Sequence, residues 1–216
     1  MEQTILTKEQ QKVLKTVAAE PGMEPYYLSG GTALAAYYLK HRFSDDLDFF
    51  TGEQSDSLFL HGFAEKIKEM LSASEMRFEK LHDRNQFFLQ LGDHELKIEF
   101  TLYPFSHLAE PEKHDGVAVD SLHDIAAGKL MAFTDRFDPK DFVDLYFLLQ
   151  KFSFAELRAD VKQKFSTTLD DVFLGGLCAR VRRIEALPRL LLPLSLDELK
   201  SFFTERAKEL TPNIFE

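Results

Sequence analysis

The chain is poor in cysteine, with only Cys178 among its 216 residues. One cysteine cannot form an intrachain disulfide, and it cannot supply the several thiolates of a cysteine-rich zinc site. A disulfide framework of the kind found in small secreted proteins is therefore excluded. A reducing cytoplasm is the expected compartment.

Long apolar runs are missing as well. No stretch of the sequence approaches the roughly 20 apolar residues that a membrane-spanning helix requires. The first residues, MEQTILTKEQQ, do not show the basic and then apolar pattern of a secretory signal. We therefore expect a soluble intracellular protein with no membrane partner.

Basic residues are scarce in most of the chain. Residues 1–150 contain 15 Lys and Arg against 26 Asp and Glu, whereas residues 151–216 contain 11 against 10. An acidic first part disfavours broad, sequence-independent binding of nucleic acid. The basic residues concentrate in one arginine cluster, for which contact with a polyanion and a solvated helix face both stay open: Arg180, Arg182, Arg183 and Arg189.

Hydrophobic spacing predicts a mixed α/β first half and a helical second half, with the change near residue 120. Apolar residues three and four apart predict helices, and strict alternation predicts strands. Strands are predicted at 26–28, 46–50, 75–81, 86–91 and 95–103, with a short one at 117–119. Helices are predicted at 7–20, 32–40, 56–71, 121–135, 139–151, 153–164, 168–184 and 196–210. We expect two domains, an α/β core over 1–120 and a helical domain over 121–216.

Two aspartates open one of these predicted strands. Asp46 and Asp48 are two residues apart, so their side chains project to the same side of the strand while Leu47 points into the core. Two aligned carboxylates repel each other, and a divalent cation removes that cost. Chance is the competing explanation, because acidic residues are common in this chain.

A Gly-Gly turn precedes the aspartates by one helix. Gly30, Gly31 and Thr32 follow a strand and open a helix, where backbone N–H groups and the helix dipole favour a phosphate group. Taken alone, the glycines are better explained by a tight structural turn, and no P-loop lysine follows them. Together with the aspartates, the turn predicts a unit that binds phosphate and metal.

Four further positions carry charges where apolar or balanced surroundings are predicted. Glu99, on the polar face of the strand at 95–103, is a candidate third metal ligand or an exposed surface acid. Lys129 falls inside the apolar arc of its helix, so it requires a carboxylate or phosphate partner unless its stem covers the rim. Asp141 suits the helix dipole at its position, and Asp144 lies one turn later on an apolar face.

These motifs, in this order, resemble the AbiEii/AbiGii-type nucleotidyltransferases of the DNA polymerase β-like superfamily. The resemblance rests on LSGGTAL at 28–34, RFSDDLDF at 42–49, DIAAGKL at 124–130, Arg136, and KDFVDL at 140–145. It covers roughly residues 26–150. It implies a nucleotidyltransferase fold, an α+β (α/β) arrangement of a small mixed sheet flanked by helices and followed by a helical C-terminal domain.

The resemblance also implies roles for individual residues. Asp46 and Asp48 would be catalytic and would bind Mg²⁺, with Mn²⁺ as a substitute, and Glu99 would stand where the family commonly has an aspartate. One of Asp141 and Asp144 would be a further catalytic acid or base. The nucleoside triphosphate would be bound by Ser29, Gly30, Gly31, Thr32 and Lys129. Gly128 stands where family members often carry glutamate.

The resulting hypothesis is a Mg²⁺-dependent enzyme that transfers NMP from an NTP to an acceptor. In the family, members act as toxins of bacterial toxin–antitoxin and phage-defence systems, and some add nucleotides to tRNA. A tRNA acceptor and a cognate antitoxin protein are therefore the implied partners. The alternative is a nucleotide-binding or interaction protein that keeps the fold without catalysis.

Overall fold

The computed structural model describes residues 5–211, and the chain folds into two compact units. Unit 1 consists of Met1–Tyr38 and Ser44–Ser121, and unit 2 consists of Leu39–Phe43 and Leu122–Glu216. The predicted domain ranges stay a prediction, and they include residues 1–4 and 212–216, which lie outside the described residues.

Unit 1 contains a mixed seven-stranded sheet within the described residues. The strands lie side by side in the order β3-β4-β5-β2-β1-β7-β6. β2 is parallel to β5 and β1 is parallel to β7, while the other neighbours are antiparallel. In chain order the strands are β1 Tyr27–Ser29, β2 Leu47–Thr51, β3 Glu75–Leu81, β4 Arg84–Leu91, β5 His94–Leu102, β6 Glu112–His114 and β7 Val117–Val119.

Alternation along β2 and β5 places apolar side chains in the core of unit 1. Leu47 and Phe49 are fully buried, and the Phe49 ring stacks on Phe100 of β5 with centroids 5.3 Å apart. Because β2 is the neighbour of both β1 and β5, Asp48 pairs with Ser29 on one side and Glu99 on the other. The strand register thus brings residues far apart in sequence to one place on the sheet.

The helices of unit 1 are α1 Lys8–Ala19, α2 Gly30–Ala33 and α3 Ser57–Leu71, with a short 3-10 helix at Pro21–Met23. Two of them, α1 and α3, begin at residues whose side chains cap them, Thr7 and Asp56. Thr7 and Gln10 form the predicted capping box at the start of α1. The α2 backbone continues as a π-helix over Leu34–Leu39, where the sequence predicted an α-helix over 32–40.

Unit 2 is helical, and phenylalanine rings fill its centre. Phe142 packs edge-on against Phe133 and Phe203, with ring centroids 4.7 and 5.1 Å apart. Leu39–Phe43 joins this unit through backbone contacts, including a bridge between Arg42 and Leu190. The helices are α4 Leu122–Asp135, α5 Pro139–Leu148, α6 Phe154–Phe165, α7 Asp171–Ala179 and α8 Leu196–Leu210, with a 3-10 helix at Arg180–Arg183.

The predicted α/β half followed by a helical half is confirmed, and two local predictions besides the one at Leu34–Leu39 are wrong. Residues 112–114 form strand β6 rather than loop, because they pair with β7 in a short hairpin. β4 begins at Arg84, so the turn before it consists of His82 and Asp83 alone, with His82 at φ +52°. Among the described helices, none is both long and apolar enough to cross a bilayer.

Candidate functional site

The turn after β1 is shaped by a glycine that no other residue replaces without strain. Gly30 has φ +70°, in the left-handed region that disfavours a side chain. A Cβ atom placed on Gly30 would lie 2.6 Å from Oδ2 of Asp48. The backbone of the turn therefore approaches the Asp48 carboxylate as closely as van der Waals contact permits.

The carboxylates of Asp46 and Asp48 converge on one ammonium group. Nζ of Lys97 lies 3.7 Å from Oδ2 of Asp46 and 3.8 Å from Oδ1 of Asp48. The convergence follows from the local sequence: Leu47 is fully buried, so the aspartates on either side of it point away from the core. Both carboxylates keep access to solvent, with 46% of the Asp46 side chain and 23% of Asp48 exposed.

Glu99 lies beside them on β5, at the centre of a hydrogen-bond network. Arg84 binds it with two nitrogens, and Gln86 Nε2 and Thr101 Oγ1 each donate to it at 2.8 Å. Lys97 Nζ lies 3.0 Å from its Oε2. Burial alone would raise the pKa of Glu99, but hydrogen bonds from Arg84 and Gln86 and the charge of Lys97 lower that pKa to about 2.

The donor set of unit 1 fits a divalent cation. Mg²⁺ and Mn²⁺ prefer carboxylate oxygens, and the two converging aspartates supply them from a partly exposed position. Glu99 differs, because both of its oxygens accept hydrogen bonds from protein groups and its side chain is 3% exposed. Its predicted role as a metal ligand stays a prediction, and ligation would require it to exchange one of these partners.

The two hydroxyl groups predicted to bind nucleotide have protein partners. Ser29 Oγ donates to Asp120 Oδ2 at 2.9 Å, and Thr32 Oγ1 donates to the backbone oxygen of Asp46. Ser29 makes no side-chain hydrogen bond to the turn that follows it. The first N–H groups of a helix have no acceptor within the helix. Gly30 and Gly31 could therefore donate backbone N–H groups to a phosphate, whereas the neighbouring hydroxyls already have partners.

In unit 2, the buried Lys129 has the carboxylate partners that its place on an apolar arc requires. Its Nζ lies 2.6 Å from Oδ2 of Asp144 and 3.4 Å from Oδ1 of Asp141. Burial would lower the pKa of this ammonium, but the charges of Asp144 and Asp141 outweigh burial and raise it. Lys129 is therefore charged at neutral pH.

Asp144 is fully buried and accepts three further hydrogen bonds. Arg42 binds it in bidentate fashion, with Nε 2.6 Å from Oδ1 and Nη2 2.9 Å from Oδ2. His41 Nε2 lies 2.7 Å from Oδ1. Burial opposes ionisation, yet the Lys129 charge and the hydrogen bonds from Arg42 and His41 hold the pKa of Asp144 well below its usual range.

Asp141 is the second acid of this cluster, and it pairs with an exposed arginine. Arg136 Nε lies 2.7 Å from Oδ2 of Asp141, and Arg136 Nη2 lies 3.0 Å from Oδ1. Burial lowers the pKa of His41, which leaves its imidazole neutral at pH 7. Three cations, Arg42, Lys129 and Arg136, thus face the carboxylates of Asp141 and Asp144.

The predicted site residues therefore gather in two clusters, one in each unit. Unit 1 brings together the glycine turn, Asp46, Asp48 and Glu99, and unit 2 brings together Lys129, Asp141 and Asp144. Sequence reasoning missed the side chains that hold them, which are Lys97 and Arg84 in unit 1 and His41 and Arg42 in unit 2. Lys97 had a signal, because it shares the polar face of β5 with Glu99.

A family profile and a relative in sequence match almost the whole chain. The profile described as "Nucleotidyl transferase AbiEii toxin, Type IV TA system" matches residues 12–213. A protein of Aquifex aeolicus, described as uncharacterized, is 32% identical over 214 residues, which is 96% of this chain and 98% of that protein. Both matches extend through unit 1 and unit 2.

Solved structures share the fold at low sequence identity. JHP933 from Helicobacter pylori has a TM-score of 0.62 and 18% identity, covering 96% of this chain and 91% of its own. MenT4, a nucleotidyltransferase toxin from Mycobacterium tuberculosis, has a TM-score of 0.52 and 15% identity, covering 94% and 81%. The fold of the chain is therefore that of nucleotidyltransferases, as the resemblance implied.

Proposed function

The chain belongs to the AbiEii nucleotidyltransferase toxin family, and from this membership we propose that it transfers a nucleoside monophosphate from an NTP to an acceptor hydroxyl. In this reaction the acceptor oxygen bonds to the α-phosphorus while the bond from that phosphorus to the bridging oxygen breaks. Pyrophosphate leaves, and the hydroxyl proton is lost. The observation that supports the proposal most is the convergence of Asp46 and Asp48 next to the Gly30 turn.

Asp46 and Asp48 would hold the divalent cation. Their oxygens converge, they are partly exposed, and they are hard donors of the kind that Mg²⁺ takes. A bound cation of this type neutralises charge on triphosphate oxygens during transfer. Glu99 is proposed from the resemblance as a third metal ligand. Its hydrogen bonds with Arg84 and Gln86 also support a second role, in which Glu99 fixes the neighbouring cationic side chains.

The triphosphate would be bound by backbone and by charge. Gly30 and Gly31 present backbone at the start of a helix, and the buried hydroxyls of Ser29 and Thr32 tie that turn to Asp120 and to the Asp46 backbone. Lys129, in unit 2, is the proposed phosphate contact, and the charged state of its ammonium supports this role.

Asp141 and Asp144 are proposed to hold Lys129 in its charged form. The resemblance also implies that one of them acts as a general acid or base. Their burial at 1% and 0% exposure, and the bidentate arginine that each accepts, support the positioning role over proton transfer. A general base must reach the proton that it removes.

The biological setting is proposed from the family. Its description as a type IV toxin–antitoxin system supports a bacterial cytoplasmic toxin with a cognate antitoxin, active in phage defence. A tRNA acceptor follows from the resemblance. The positive charge concentrated at Arg180, Arg182, Arg183 and Arg189 supports contact with the RNA backbone.

The test is transfer of label from each of the four α-³²P-labelled NTPs to total tRNA in the presence of Mg²⁺. We expect labelling by the wild type and a loss of at least about 100-fold in Asp48→Asn, the size typical of removing a main electrostatic contributor. Asp45→Asn is the matched control, because Asp45 is the exposed neighbour in the same segment. It should keep wild-type activity.

Two results would refute the proposal. The first is equal labelling by the wild type and Asp48→Asn. The second is nucleotide binding by calorimetry with no transfer under any metal, NTP or RNA fraction, which would establish the alternative of a binding protein without catalysis. Growth arrest on expression in bacteria, relieved by Asp48→Asn, tests the toxin role separately.

A further inference from the structure

Lys97 lies at the centre of the carboxylate cluster of unit 1, and the proposed reaction gives it no role. Its ammonium group is within 4 Å of three carboxylates, those of Asp46, Asp48 and Glu99. Only 19% of its side chain is exposed. A cation at this point lies where the two aspartates would bind a metal ion.

The three contacts of Lys97 are of two kinds. At 3.0 Å from Glu99 Oε2 the ammonium is within hydrogen-bond distance, whereas 3.7 and 3.8 Å from the aspartate oxygens are too long for a hydrogen bond. Lys97 is therefore anchored on Glu99 and acts on Asp46 and Asp48 through charge alone.

Glu99 in turn is fixed by partners on β4. Arg84 and Gln86 donate to it, and Thr101 donates from its own strand, so its carboxylate cannot follow Lys97 if Lys97 moves. The flexible partner is the lysine, whose four-carbon stem and single charge adapt to what is bound nearby. The cluster is thus a fixed acid that holds the Lys97 ammonium beside the two aspartates proposed to bind metal.

We infer that Lys97 is the resident counter-ion of the metal site and couples binding of the divalent cation to binding of the nucleotide. This inference rests on the proposed function. Without nucleotide, the ammonium satisfies Asp46 and Asp48 and repels a divalent cation that would bind them. With nucleotide, the triphosphate provides negative charge for Lys97, and the cation then binds without that penalty. Lys97 is accordingly a positioning residue for the metal and not one of its ligands.

The size of the effect follows from Coulomb's law. A single charge and a double charge about 4 Å apart repel strongly enough, even with the screening of water, to weaken cation binding at least about tenfold. Removing the ammonium should therefore tighten binding of a free divalent cation by at least that factor. Binding of the cation together with a nucleotide should change much less.

The experiment measures Mn²⁺ binding by electron paramagnetic resonance, with and without a mixture of non-hydrolysable α,β-methylene NTPs. Wild type should bind free Mn²⁺ weakly and Mn²⁺ with nucleotide at least tenfold more tightly. Lys97→Met should bind free Mn²⁺ at least tenfold more tightly than wild type and lose most of the nucleotide dependence. Lys97→Arg keeps the charge and should behave as wild type. Lys80→Met should also behave as wild type, because Lys80 is an exposed residue of β3.

The outcomes separate this inference from the proposed function. Unchanged Mn²⁺ affinity in Lys97→Met, at a site abolished by Asp48→Asn, would overturn the counter-ion role alone. Mn²⁺ binding that Asp48→Asn does not alter, or no binding with nucleotide in any variant, would overturn both. Melting curves identify a variant that fails to fold, and Lys97→Gln then replaces Lys97→Met in the same test.

Discussion

Replacing Glu99 by glutamine tests the network that holds the carboxylate cluster of unit 1 together. The Glu99 carboxylate is almost fully buried and is bound by Arg84, Gln86, Thr101 and Lys97. These contacts lower its pKa from 4.5 to about 2. At about 1.4 kcal/mol per pKa unit, the ionised carboxylate contributes roughly 3 kcal/mol to the free energy of unfolding at neutral pH.

The sign of the pH dependence follows from the lowered pKa. The unfolded chain binds a proton at Glu99 below about pH 4.5, whereas the folded chain does so only near pH 2. The contribution is therefore complete above pH 4.5 and is lost as the pH falls toward 2. Glu99→Gln should destabilise the protein by about 3 kcal/mol at pH 7, and the difference from wild type should shrink between pH 4.5 and 2.

Urea denaturation followed by circular dichroism at pH 7, 4.5, 3.5 and 2.5 measures this difference. The control is Glu95→Gln on the same strand, because Glu95 is 46% exposed and lies 3.6 Å from Arg77. Exposed pairs of this kind contribute less than about 1 kcal/mol. A Glu99→Gln variant as stable as wild type at pH 7, or a difference that does not change with pH, would refute the reasoning.

Three further outcomes are expected from single substitutions. Gly30→Ala should lose at least about tenfold in transfer rate, because the added Cβ displaces the neighbouring Asp48 carboxylate. Gly92 is the control, because it also has a positive φ but open space around it. Gly92→Ala should lower the free energy of unfolding by about 1 kcal/mol in urea denaturation and keep the transfer rate. Asp144→Asn should lower the free energy of unfolding by about 3–5 kcal/mol, because it removes the carboxylate that faces buried cations. Asp160→Asn is the control and should lower it by less than about 1 kcal/mol, because Asp160 is more exposed. Burial lowers the pKa of His41, so stability should fall as the pH drops below 6.5, by at most about 1.4 kcal/mol per pH unit, and His41→Gln should lack this slope.

Local sequence patterns were sufficient for most elements of the fold. Alternation identified β5, and the Thr7 and Gln10 pair identified the start of α1, because both signals depend only on residues a few positions apart. Strand β6 was not predicted, since its three residues are all polar and show no apolar alternation. The π-helix was also missed, because no spacing rule separates it from an α-helix at Leu34–Leu39.

The candidate site was predictable to the extent that its residues broke a local pattern. Lys129 and Asp144 stood out because a charge on an apolar helix face needs a partner. The identity of that partner was not predictable: Arg42 reaches Asp144 across about a hundred residues of sequence, and only the packing of unit 2 shows it. Lys97 was missed because a lysine on a polar strand face is ordinary until the strand register places Asp48 beside it.

The central claim is nucleotidyl transfer, and the position of the transferred label tests it most directly. Wild-type protein is incubated with tRNA and Mg²⁺ and the same NTP, labelled with ³²P at the α-phosphate in one reaction and at the γ-phosphate in the other. We predict label on the acceptor from the α-phosphate only, with the γ-label recovered in pyrophosphate. Acceptor labelled from the γ-phosphate would show phosphoryl transfer and contradict the account.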